Sequence, residues 1–250
     1  MQISTASLRP VALAVGTLTV IRVRVAGSVA PAELRAAVGF YPLVGLLVGA
    51  LPALALLAPI ADLPRAVLAL TVWVVVTGAL HLDGWTDCCD AAFAPPRATA
   101  AETRARRLAI LKDPHVGVFG VAGLVLLLLA KWTALIGAAP LAPLLAAPLA
   151  RWTMVFALQA HPAARPDGLA ATLGRAVPLN VATWILALIL APLTFLAAEP
   201  WRVAGAVAFG ILAGLGVAAL LARRFGGVTG DVLGAAGEAV ELAVLWALLG

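Results

Sequence analysis

Six apolar runs constrain this chain more than anything else in it: 39–61, 64–82, 116–138, 141–160, 179–198 and 202–222. Each is close to the roughly 20 residues that cross the hydrocarbon of a bilayer as a helix. Two further stretches, 8–25 and 232–249, are apolar enough to be additional membrane helices, although the second carries Glu238 and Glu241. The chain is 63% hydrophobic and 12% charged over 250 residues. A globular domain is about half apolar and about a quarter charged. Only helices or closed barrels satisfy their backbone groups in lipid, and Ala- and Leu-rich runs without alternation select helices. The reading is an all-α polytopic integral membrane bundle of seven to eight helices, one domain over 1–250, with the lipid bilayer as a partner. The stretch from Pro10 to Ile21 is read as retained rather than a cleaved leader, because Ser28-Val29-Ala30 runs into Pro31, a poor cleavage context.

The net charge of +5 is spread over loops and does not call for nucleic acid. Basic residues alternate from loop to loop. Arg22, Arg24 and Arg35 precede the first long run; Arg97, Arg104, Arg106, Arg107 and Lys112 fall in 83–115; Arg165 and Arg175 fall in 161–178; Arg223 and Arg224 follow the 202–222 run. The intervening loops hold only Arg65 and Arg202. The positive-inside rule places the first set in the cytoplasm, and the polar motifs then share one membrane face. Cys88 and Cys89 are adjacent and cannot frame a disulfide scaffold or a four-ligand zinc site.

Those motifs begin with "HLDGWTDCCDA" at 81–91. Asp83, Asp87 and Asp90 are spaced i, i+4 and i+7, one stripe of a helix at about 100° per residue. Such a stripe is either a solvated helix end or a cation site. Its one-face spacing, with His81 and Gly84 alongside, favours the cation. Oxygen ligands suit Mg²⁺ or Mn²⁺, and Mg²⁺ takes its remaining ligands from water and substrate phosphates. His81 is read as a hydrogen-bond partner of the metal-binding acids or as a general base. Thr99 and Glu102 form a capping-box pattern that opens a short basic helix. On it Arg104 and Arg107, with Lys112 beyond, either mark topology or bind phosphate. Asp113-Pro114 ends it.

"HPAARPDGLAATLGR" adds Arg165 and Asp167 in a Pro- and Gly-punctuated loop, and "RRFGGVTGDVLGAAGEAVE" adds Gly226, Gly227, Thr229 and Asp231. Glycines permit close backbone approach to phosphate, but no Lys-Ser/Thr pair follows and this is not a P-loop. Asp231, Glu238 and Glu241 would be costly facing lipid. They are expected to face a polar cavity beside the Asp83–Asp90 stripe, the two glutamates having Arg223 or Arg224 as alternative partners. Lys131 is expected to snorkel toward the interface, and Arg151 to face the interior.

With "FYPLVGLLVGA" (40–50), "RRLAILKDPHVGVFGVAGLVLLLLAK" (106–131) and "ARPDGL" (164–169), these motifs resemble the cobalamin synthase family, adenosylcobinamide-GDP ribazoletransferases, in family order over nearly the whole chain. Trp85-Thr86, Cys88-Cys89 and Ala91 depart from that family's usual residues; the acids match. The resemblance implies a Mg²⁺-dependent enzyme of the bacterial inner membrane, its active face cytoplasmic. It implies the joining of adenosylcobinamide-GDP to α-ribazole or its 5′-phosphate with release of GMP. It further implies Asp83, Asp87 and Asp90 on the metal, and one of Asp87, His81 or Asp231 as proton acceptor. Arg104, Arg107, Lys112, Arg165, Gly226, Gly227 and Thr229 would contact substrate. A CDP-alcohol phosphotransferase fails at the residues after Asp87, a polytopic prenyltransferase lacks a second acidic motif of its own kind, and a transporter lacks matching half-repeats.

Overall fold

The computed structural model describes residues 5–25 and 27–249. Among them the chain forms twelve helices: α1 (Thr5–Leu18), α2 (Pro31–Val38), α3 (Tyr41–Ala55), α4 (Asp62–Thr77), α5 (Leu80–Phe93), α6 (Ala100–Ile110), α7 (Val118–Leu135), α8 (Leu141–Ala160), α9 (Leu169–Leu173), α10 (Leu179–Phe195), α11 (Pro200–Phe225) and α12 (Gly230–Ala247). The apolar runs read from the sequence fall on α3, α4, α7, α8, α10, α11 and α12.

The core lies around α12 and α8. α12 packs against α11, α8 and α5, and α8 against α3 as well. Buried side chains of α12 include Val232, Ala236, Val240 and Val244, so this helix is enclosed nearly all round. The outside is apolar too: Val118, Leu126, Trp184, Leu188, Phe195, Trp201 and Leu212 are all exposed. A surface of that kind is stable against lipid and not against water.

By length and composition three helices can each cross a membrane: α7, α8 and α11. The number rises to five if the bent pairs α2–α3 and α4–α5 are each one span. That is fewer than the seven to eight expected. α1 and α10 are apolar but shorter than 18 residues. α12 is long enough and carries three acids. The 64–82 run does not continue straight: α4 and α5 meet at 89°. Gly78 and Ala79 both take left-handed backbone angles, φ 60° and 58°, and turn the chain there. Ala79 pays a steric penalty that glycine would not, and its position starts α5 on a new heading.

Three loops meet at one end of the bundle. Arg104 on α6 donates through Nε to the Phe225 carbonyl at 2.9 Å and through Nη2 to the Gly226 carbonyl at 3.3 Å. Lys112 pairs with Asp167 at 2.6 Å, and Arg224 donates to the Ala92 carbonyl at 2.8 Å. A short parallel bridge joins Ala163 to Val228. The convergence inferred from loop charge therefore holds in space.

Candidate active site

The acidic stretch becomes α5, and α5 is laid directly on the start of α12. Gly84 makes this approach possible: a Cβ there would stand 2.8 Å from Asp231 Cα and 2.9 Å from the Asp231 carbonyl oxygen. Any side chain at 84 would push the two helices apart. Asp83 and Asp87 are thereby brought beside Asp231, whose charge, with those of Asp83 and Asp90, acts on Asp87. His81, Asp83 and Asp231 line one cavity with Tyr41, Met154 and Gly234.

The start of α12 is locally ordered. Thr229 is its N-cap, its hydroxyl accepting from the Val232 N–H at 3.3 Å, and the same hydroxyl lies 3.0 Å from Asp231 Oδ2, to which it donates. Asp231 thus occupies the first turn, where the helix dipole favours a negative charge. Arg165 Nη2 is 3.9 Å from Asp231 Oδ2, the one ion pair of this carboxylate group among the described residues. Arg165 Nη1 is buried without a hydrogen-bond partner.

Asp90 shares the stripe but not the cluster. Its two oxygens accept from the backbone N–H groups of Gly117 (2.7 Å) and Gly120 (2.8 Å). Gly117 opens α7 and has no side chain to cap it, so Asp90 satisfies N–H groups that the helix start leaves unpaired. Among the described residues no three His, Cys, Asp or Glu side chains gather closely enough to hold a metal ion unaided.

The basic residues divide in the same way. Arg104 and Arg107 line an open cleft with Arg223 and Arg224, and both reach backbone carbonyls at the end of α11. Cations suit that end of a helix. Gly226 has φ +81°, and Arg104's guanidinium occupies the space a side chain there would fill. Gly227 presses against the backbone of 162–164. Thr99 caps α6 as its sequence implied, accepting from Glu102 N at 3.1 Å. Lys112 is held by Asp167, whose carboxyl is kept below the usual carboxylate range first by that hydrogen bond.

Sequence reasoning missed a buried ionic network below the cavity. Lys131 on α7 does not snorkel. It is buried, bonded to Glu238 and to Glu241 (2.6 Å), with Nζ 5.1 Å from the centre of the Trp73 ring. Arg151 on α8 is fully buried, pairs with Glu241, and places Nη2 3.1 Å from His81 Nδ1. Glu238 and Glu241 therefore meet these two bases rather than Arg223 or Arg224. The signal available was a balance: two bases and two acids, each within an apolar run.

Comparison with known proteins identifies the family. The sequence model of the cobalamin-5-phosphate synthase family matches residues 10–249. A protein from Pseudomonas putida named adenosylcobinamide-GDP ribazoletransferase is 40% identical over 245 residues, covering 96% of this chain and 98% of its own. Relatives of the same name are 38% identical in Pseudomonas aeruginosa, over 97% of this chain and 98% of theirs, and in Deinococcus radiodurans, over 93% and 82%. No solved structure matches. A match over nearly the whole length, to a chain whose polar motifs meet at one end of a helical bundle, places this protein in the cobalamin-5-phosphate synthase family.

Proposed function

We propose that the protein is an adenosylcobinamide-GDP ribazoletransferase, joining adenosylcobinamide-GDP to α-ribazole or α-ribazole 5′-phosphate and releasing GMP. The observation that carries this reading is the set of carboxylates at the α5–α12 crossing, with the Arg165 guanidinium beside it. A diphosphate donor needs both features: oxygen ligands for a divalent cation and a donor fork for phosphate oxygens.

Asp83 and Asp87 fit Mg²⁺. They are oxygen donors with no ion pair of their own among the described residues, and Mg²⁺ completes its shell with water and substrate phosphate rather than needing an all-protein cage. When bound, Mg²⁺ would neutralise charge on the diphosphate and on leaving GMP. Arg165, part-exposed beside Asp231, orients the donor. Asp231, held by Thr229, accepts the proton of the ribazole hydroxyl as its oxygen attacks the phosphorus on the cobinamide arm. Asp87 is the alternative acceptor. Arg104 and Arg107 contact GMP from the arginine-lined cleft. Lys112 acts through Asp167 to hold the 161–178 loop, and Gly226 and Gly227 let Arg104 and the 162–164 backbone close against the end of α11 beside the donor. Asp90 contributes by fixing α7 against α5.

The site would lie on the cytoplasmic face of the bacterial inner membrane, on the strength of the basic loops. Single cysteines at Ala98 and Ala176, in a chain lacking Cys88 and Cys89, should react only from the cytoplasm; periplasmic reaction at either contradicts this orientation. The decisive experiment supplies purified protein in detergent with adenosylcobinamide-GDP, α-ribazole and Mg²⁺ and separates the products. Cobalamin and GMP in equal amounts are expected. Neither product, together with uptake of a corrinoid into sealed vesicles, would make it a transporter.

A further inference from the structure

The ionic network does not stop inside the bundle; it ends on a side chain of the cavity. Arg151 donates to Glu241 through Nη1 and faces His81 Nδ1 through Nη2, 3.1 Å away. A guanidinium has five N–H donors and no acceptor. Nδ1 can therefore only accept, and carries no hydrogen. The neutral imidazole must then hold its one hydrogen on Nε2. Among the described residues Nε2 has no hydrogen-bond partner, and His81 lines the cavity with Asp83 and Asp231. Arg151 is in turn immobilised by Glu241, which Lys131 also holds, and Lys131 is fixed by Glu238 and the face of Trp73.

We infer that Arg151 is a positioning residue that locks His81 in its Nε2–H tautomer, so that His81 donates a hydrogen bond to an anionic substrate oxygen and does not act as the general base. The identity of that oxygen, a phosphoryl oxygen of the donor, rests on the function proposed above; the tautomer does not. The inference also gives the buried charges a purpose. Four charged groups away from water are costly to assemble. Their arrangement delivers one oriented N–H to the cavity floor, as partners of a ligand histidine fix its ring in metal sites.

The test begins with full-length protein carrying ¹⁵N-labelled histidine. The chain has three histidines, and replacing His115 and His161 by Asn leaves the His81 signals alone. The Nε2–H form is expected in the absence of substrate; the Nδ1–H form overturns the inference. In Arg151→Met/Glu241→Gln, which removes a base and its acid together, the two tautomers should mix and turnover should fall about a hundredfold, the range for losing one preorganised donor. A pure Nε2–H signal in that variant overturns the positioning role. Arg151→Lys, still only a donor, should keep the tautomer and recover part of the turnover. If the double variant does not fold, His81 itself carries the test. His81→Gln puts an N–H near the place of Nε2–H and should exceed His81→Leu by at least tenfold, whereas equal loss in both overturns the donor role. Wild-type protein with the Nε2–H tautomer and no transferase activity would support this inference and defeat the function proposed above.

Discussion

Helix α12 carries two kinds of acid. Glu238 and Glu241, in its middle, are buried and met by two cations at hydrogen-bonding distance, Lys131 and Arg151. Asp231, in its first turn, joins Asp83 and Asp87 in a group whose one recorded ion pair among the described residues is 3.9 Å long. About 10 Å of helix separates the two settings at 1.5 Å per residue. The deep group is electrically complete, two negative charges against two positive, and has nothing left to offer a ligand. The shallow group keeps an excess of negative charge at the mouth of a cavity. Unbalanced charge in a cleft points to a ligand; balanced charge points to architecture.

Substitutions should separate the two settings, one losing turnover and the other stability. Asp87→Asn should lower turnover about a thousandfold or more, the scale of losing charge stabilisation at a phosphoryl group. Its melting temperature in detergent should hold or rise, because a repulsive neighbour of Asp83 and Asp231 is removed. Near-normal turnover would erase the distinction. Glu241→Gln should act first on stability, lowering unfolding free energy by about 3–5 kcal/mol as Lys131 and Arg151 lose an acid they share, with any fall in turnover passing through the Arg151–His81 contact; unfolding in detergent measures it, and an unchanged curve would show that the network is dispensable. Asp231→Asn should lower kcat about a hundredfold with normal melting, as expected for a general base. If melting falls and kcat per folded molecule does not, Asp231 belongs with the glutamates.

The smallest effect is expected at the rim. Lys112→Met removes a partner of Asp167, but both side chains are more than half exposed and solvent screens the pair. Because Lys112 lowers the Asp167 carboxyl, the pair contributes only above the ordinary carboxylate range and its contribution fades as pH falls through the lowered value. Melting curves of the variant and the parent should differ slightly at neutral pH and merge in acid.

What could be read from the sequence was local or compositional. Apolar runs located α7, α8, α10 and α11 closely, since a membrane span is fixed by length and hydropathy. Thr99 and Glu102 marked the start of α6 because a cap is a short-range pattern. Loop charge foretold that Arg104, Arg165 and Asp231 would share one end. Side-chain pairing was not legible. Lys131 meets Glu238 across 107 residues, and no short-range pattern records it. Asp90 kept its place in the stripe while its oxygens went to α7, because spacing specifies a face and not which neighbour covers it. The right-angled break after α4 was hidden as well: Ala79 takes a left-handed angle that its identity does not announce.

The deep ion network also bears on how the chain reaches its membrane. α7 and α8 are synthesised before α12, so Lys131 and Arg151 emerge long before Glu238 and Glu241 exist to meet them. Each would enter hydrocarbon as a lone cation, at a cost of about 2.5–3.5 kcal/mol on the scale of translocon insertion. Until the last helix arrives, these two segments belong beside the insertion machinery or at the bilayer edge. Translation of α12 then acts as a latch: two acids arrive together, both bases are neutralised, and the cavity acquires its floor in the same event. A nascent chain arrested at Thr229 should accordingly stay accessible to protease at α7 and α8, and one released only after Ala247 should not.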